Sequence, residues 1–238
     1  MEGFLFVSFL RAIFAILFFT MCQICVAKES IVLAVENSWS PFSDTNGNGI
    51  SKDIIQAAYN SVDTEVEFIA VPYARALKMA KLGQVDGAFN VTKQKSTIEL
   101  FNFGDSPILQ ATASFYYHKD SAMNFKSVHE IPKETSVGVI IGYEYGDSYE
   151  KNKSRFNEVK VNNQTQLINL LRKNRIDVAI MFDEVAKSKL EKIGLNLQDI
   201  KKGEINHKSD IFVAFSKKKN TKAAMKLLDK GLAKIKNQ

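Results

Sequence analysis

The sequence predicts an α/β protein built as two lobes joined by two crossover strands, and three observations carry that prediction. Short apolar runs alternate with segments of helical periodicity over roughly residues 30–115, and the alternation restarts over 120–205. Two runs without helical periodicity, 111–119 and 209–217, flank the second unit. The chain then leaves the first lobe, builds the second and returns, and two adjacent crossings make a hinge. The expected division is 1–27 leader, 28–114 first part of lobe one, 115–208 lobe two, and 209–238 the return to lobe one with a terminal helix.

The leader comes first. "MEGFLFVSFLR" runs into "AIFAILFFTMCQICVA", which is apolar and uncharged after Arg11, and Cys25 and Ala27 are small residues at the −3 and −1 positions of a cleavage after Ala27. That layout predicts a secretory signal peptide and a periplasmic protein. An uncleaved anchor is the other reading, since Gly3–Ala27 is long enough to span a bilayer once. Cys22 and Cys25 both fall inside this segment, so a processed chain carries no cysteine, no disulfide and no thiolate metal site.

In the first unit "IVLAV" (31–35) is a buried strand, and "SKDIIQAAYNSV" is a helix with Ser51 as its expected N-cap. "EVEFIAV" (65–71) is a strand, "YARALKMAKLG" (73–83) a helix closed by Gly83, and "VDGAFNV" a strand. In the second unit "TSVGVII" (135–141) is a strand, Gly142–Gly146 a turn, and "DSYEKNK" opens a helix. "EVKV" (158–161) is a strand, "NQTQLINLLRKN" a helix, "IDVAIMF" a strand and "EVAKSKLEKIG" a helix. After the second crossover, "KNTKAAMKLLDKGLAKIK" is an amphipathic helix.

One loop imitates a metal site. Asp44, Asn46, Asn48 and Gly49 fill the first half of an EF-hand signature. The position of the obligatory bidentate acid is Ile55, however, and position nine is Lys52. The loop therefore reads as a turn, and no metal or cofactor is expected.

The formal charge of +6 comes from scattered lysines rather than a basic stripe with interleaved aromatics, so no nucleic-acid partner is expected. Nothing points to catalysis: there is no HExxH, no GxSxG and no Walker A loop, and His118, His129 and His207 are far apart.

The order and spacing of "SWSPFSDTNGNGISKDI", "VPYARALKMAKLGQVDGAFNVTK", "FNFGDSPI", "GVIIGYEYGDSYE" and "RIDVAIMFDEVAKSKL" resemble the bacterial extracellular solute-binding proteins of family 3, from about residue 30 to the end. The resemblance implies a two-lobed periplasmic-binding-protein fold of type II. It also implies a monomer that closes on a small polar ligand, an amino acid or a related amine or carboxylate. The partner would be an ABC permease complex or, alternatively, a membrane receptor kinase. Cyclohexadienyl dehydratases share the fold, which keeps an enzyme as a further rival.

The resemblance also nominates residues. Trp39 and Phe42 fall where the family places an aromatic over the ligand. Asp183 falls where the family carries the carboxylate that pairs with an α-ammonium, although it is equally a natural helix N-cap. The family's carboxylate-binding arginine, in a T-x-x-R context, is absent from "NVTKQKSTIELF". Around Asn90 and Thr92, Lys95 or Thr97 takes its place, and lysine lacks the bidentate fork. Arg75, beside Tyr73, is a possible substitute. In lobe two, Tyr143, Tyr145 and Gly146 stand at the turn that meets the ligand, where free N–H groups at a helix start attract anions.

Overall fold

The computed structural model describes residues 30–236, and the expected leader with both its cysteines lies outside the described residues. In the first lobe β1 (Ile31–Glu36) lies between β2 (Val66–Val71) and β3 (Gly87–Thr92), parallel to both. Helices α1 (Ile50–Asn60) and α2 (Tyr73–Leu82) form the crossovers, as a parallel sheet requires. A short helix α3 (Lys95–Ile98) and the strand β4 (Phe101–Phe103), neither expected from the sequence, follow β3. The second lobe repeats the plan: β6 (Ser136–Ile140) runs parallel to β7 (Asn157–Val161) and β8 (Val178–Phe182). Its helices are α4 (Asp147–Asn152), α5 (Gln164–Arg172) and α6 (Asp183–Lys192).

Two strands join the lobes. β5 (Leu109–His118) and β9 (Ile200–Ser216) pair antiparallel with each other, and the strand order is β2-β1-β3-β9-β5-β8-β6-β7, with β4 also on β9. β9 is 17 residues long: its Ile211–Phe215 end pairs with β3, and its earlier part pairs with β5. The sequence marks only the 209–217 end, because the stretch "IKKGEINHK" before it is polar and largely exposed. The β5–β9 ladder slips register on either side of Ser114. Helix α7 (Lys222–Lys236) returns the chain to lobe one and packs on α1. Gly231 permits that contact, since a Cβ there would lie 2.1 Å from the Ala58 carbonyl oxygen.

Local signals fare unequally. Gly83 closes α2 in the left-handed region at φ 75°, as expected. Ser51 does not cap α1. It sits inside the first turn, and the N-cap is Gly49, whose φ of 143°, with an added Cβ 2.5 Å from the Pro41 oxygen, favours glycine. In the loop before α1, Asp44 Oδ1 accepts the amide hydrogens of Asn46 and Asn48 at 2.8 and 2.9 Å. Lys52 Nζ donates to Asn48 Oδ1 and lies 5.4 Å from the Phe68 ring centroid. The oxygens that mimic a calcium loop thus serve an Asx turn.

Candidate functional site

The ends of the strands in both lobes face one another, and the residues just past them make the site. β1 ends in Glu36, and the loop beyond it carries Trp39; β3 ends in Asn90 and Thr92; α2 opens with Tyr73. From the other lobe, the turn after β6 brings Tyr143 and Glu144, and β8 ends in Phe182. Together these eight side chains enclose an internal cavity of about 10 Å³. A space that size is at the lower limit for a single water, so the cleft is shut.

What shuts it is a reciprocal pair of tyrosine–carboxylate contacts. Tyr73 of lobe one donates its hydroxyl to Glu144 Oε2 of lobe two at 2.5 Å. Tyr143 of lobe two donates to Glu36 Oε1 of lobe one. The two tyrosine rings meet edge to face at 5.1 Å, and Trp39 meets Phe182 in the same way at 5.2 Å. Gly142, at φ 87°, lets the turn approach Ala74.

Both carboxyls are buried, and burial is the main reason each is pushed up from 4.5 to about 8. At Glu36 the Tyr143 hydrogen bond works downward against burial, Glu144 adds a like-charge push upward, and Lys189 pulls slightly down. Glu144 receives hydrogen bonds from Tyr73, its own amide and the Thr92 amide, while Glu150 opposes its ionisation. Two further groups lining the cavity have no partner among the described residues: Asn90 Oδ1 and Trp39 Nε1, on side chains 5% and 2% exposed. Asn90 is held in the left-handed region at φ 66°, at a bulge in the β3–β9 ladder, with its Nδ2 on Ser43 Oγ at 3.1 Å. Strain of this kind in a non-glycine residue gathers at functional positions.

Grooves open from either side of this closed centre. One, of about 660 Å³, reaches Glu36 and Tyr143 and is bordered by Lys189, whose pKa burial lowers. The other, of about 280 Å³, reaches Glu144 from the side of Gln94 and Tyr145.

Of the residues nominated by the sequence, Trp39, Tyr73, Asn90, Thr92 and Tyr143 meet in the cavity wall. The others lie elsewhere. Phe42 stacks on Trp39 at 4.5 Å and borders a separate groove with Asp183. Asp183 does not cap α6, whose N-cap is Phe182. Its carboxylate instead takes the Tyr116 hydroxyl at 2.9 Å and the Lys202 ammonium at 2.7 Å. Arg75 and Lys95 are exposed on α2 and α3, away from the cavity. The Thr97 hydroxyl is absorbed by the capping of α3, donating to the Thr92 carbonyl at 2.8 Å. Tyr145 is buried, its oxygen accepting the Ile140 amide at 2.6 Å, and Gly146, the N-cap of the six-residue α4, packs against His207.

The sequence reading missed Glu36, Glu144 and Phe182. Glu36 directly follows an apolar strand, and Glu144 sits between two nominated tyrosines; a charged residue in either setting is a signal that could have been read. His207 was also missed. It lies edge-on to Phe182 at 5.7 Å, and burial lowers its pKa to about 4.

Residues 31–238 match the family described as bacterial extracellular solute-binding proteins, family 3. No curated protein matches the chain in sequence. Among solved structures, an amino acid ABC transporter substrate-binding protein AbpA from Streptococcus pneumoniae, bound to L-arginine, is 21% identical with a TM-score of 0.71, over 89% of this chain and 90% of that one. Holo ArgBP from T. maritima is 17% identical with a TM-score of 0.72, over 88% and 92%. A histidine kinase sensor domain with similarity to periplasmic binding proteins is 14% identical with a TM-score of 0.72, over 88% and 91%. At these identities the likeness establishes the two-lobed fold.

Proposed function

The chain belongs to family 3 of the bacterial extracellular solute-binding proteins, and from that premise we propose that it captures a small polar ligand between its lobes and hands it to an ABC permease complex. The ligand is an amino acid or a related amine or carboxylate, and the protein acts as a monomer in the periplasm after loss of its leader. One observation carries this reading: a polar cavity walled by Trp39, Tyr73 and Asn90 from one lobe and by Tyr143, Glu144 and Phe182 from the other. A ligand touching both walls stabilises the closed form over the open one, and closure is the signal a partner can read. Pockets that hold such molecules measure about 300–1,000 Å³, so the cleft opens to load.

The test is a thermal-shift panel of amino acids, amines, organic acids and sugars, followed by small-angle scattering. A ligand should raise the melting temperature and hold the protein compact. A panel in which nothing does so overturns the reading.

A second reading has its own support. The lobes latch directly on each other through Tyr73–Glu144 and Tyr143–Glu36, and a kinase sensor domain is among the similar structures. In a sensory role the closed form would dock on a membrane receptor kinase. Neighbouring genes for a permease and ATPase, or instead for a sensor kinase, separate the two.

A further inference from the structure

We propose that the cleft takes a dicationic amine without a carboxylate, an α,ω-diamine or a guanidino-amine, whose two cationic ends bind Glu36 and Glu144 in place of Tyr143 and Tyr73. The inference rests on the interlobe reading above and names the ligand class for the same site.

The argument is one of unmet chemistry. A buried carboxylate is retained where something compensates its charge. Here two of them face one cavity, and the charge of Glu144 is felt at Glu36. A carboxylate offers about four acceptor sites. Among the described residues Tyr143 is the one side-chain donor on Glu36, while Glu144 takes the Tyr73 hydroxyl together with its own and the Thr92 amides, so Glu36 is the less satisfied of the two. No lysine, arginine or histidine forms an ion pair with either glutamate among the described residues, although the chain carries 32 lysines and arginines. The nearby cations are otherwise engaged or lie outside. Lys153 pairs with Glu150 at 2.6 Å, Lys160 pairs with Glu158 at 3.2 Å, and Lys189 borders the outer groove.

A second, independent observation points the same way. The Asn90 amide oxygen is buried, unpartnered and in the wall of the same cavity. The Trp39 indole N–H in the same wall is an unpartnered donor, but the two carboxyls and the Asn90 oxygen outnumber it as acceptors, and ammonium and guanidinium groups supply the donors they lack. A ligand carboxylate would find the Trp39 N–H but no cation to neutralise it, since the wall holds two acids and no arginine, and Arg75 and Lys95 are exposed. Trp39 and Tyr73 complete the box with aromatic faces that favour a desolvated cation. At neutral pH the raised carboxyls hold protons that a dication would replace, so binding releases protons.

The experiment is isothermal titration calorimetry on the chain expressed from its full sequence, with putrescine, agmatine, L-arginine, L-glutamine and L-glutamate. Putrescine or agmatine should bind, with the three amino acids at least about tenfold weaker. Glu36→Gln and Glu144→Gln should each weaken the amine by about tenfold or more, since each removes a charge-assisted contact. The glutamines copy the shape of the protonated acids, and the melting transition of each variant verifies folding. Preferred binding of an amino acid overturns the dication assignment and leaves the interlobe reading standing. Amine binding indifferent to both substitutions also overturns it, because the amine then sits elsewhere. If no compound binds and scattering shows no closure, the assignment fails together with the interlobe reading.

Discussion

The Tyr73 hydroxyl donates to Glu144 across the cleft at 2.5 Å, while Tyr143 donates the other way to Glu36, so each lobe holds a tyrosine that engages the other lobe's buried acid. Nothing in either lobe alone requires these contacts. They exist only when the lobes meet.

Tyr73→Phe should therefore shift the ligand-free protein toward the open form. A hydrogen bond of this kind contributes about 0.5–1.5 kcal/mol, enough to move the open–closed ratio by up to about tenfold. Small-angle scattering would show a larger radius of gyration. An unchanged radius would mean that Trp39–Phe182 packing holds the lobes without the latch.

The resting position should also depend on pH. Glu36 faces Tyr143, Glu144 and Lys189, and Glu144 faces Tyr73, Glu150 and the Thr92 amide. Both acids are raised from 4.5 to about 8 in the closed form, which consequently binds more protons than an open form with solvated carboxyls. Closure is then fully supported below 4.5 and progressively lost as pH rises toward about 8. Scattering of the ligand-free protein across that window should show expansion with rising pH, and Glu36→Gln/Glu144→Gln together should flatten the profile.

Asp183→Ala separates a structural carboxylate from a binding one. Its partners are Tyr116 and Lys202, and its side chain is 17% exposed. Losing both contacts should cost about 1–2 kcal/mol in urea unfolding. Affinity for the interlobe ligand should stay within about twofold, a change of less than 1 kcal/mol. Abolished binding would return Asp183 to the ligand site.

Gly231→Ala tests the return of the chain to lobe one. The added methyl would meet the Ala58 backbone at 2.1 Å, and backbone yields poorly. Overpacking of this kind costs about 1–3 kcal/mol, read as a lower urea midpoint. A neutral substitution would show that α7 can ride outward on α1.

The fold was legible in the sequence because it depends on periodicity. "IVLAV", "EVEFIAV" and "VDGAFNV" became β1, β2 and β3, and the alternation that restarts at residue 135 became the second lobe. Short elements such as α3 and β4 escaped because they bury too few residues to leave a pattern. Half the site was legible too. Trp39, Tyr73 and Tyr143 stand out as aromatics beside strand ends. Its acids did not, since a glutamate looks solvated until the opposite lobe covers it. Asp183 shows the same limit: only packing reveals its contacts with Tyr116 and Lys202.

The pairing of β5 with β9 has a mechanical consequence. The two connections are not separate threads, because they are hydrogen-bonded to each other from Leu109 to His118. A zipped antiparallel ribbon resists stretching and yields to twist, so the swing of the lobes is a torsion along essentially one coordinate. The ladder slips on either side of Ser114, where such irregularities bend the strand and increase its twist. Substitutions there would retune how fast the molecule opens without altering the residues that choose the cargo, leaving timing and selectivity free to evolve apart.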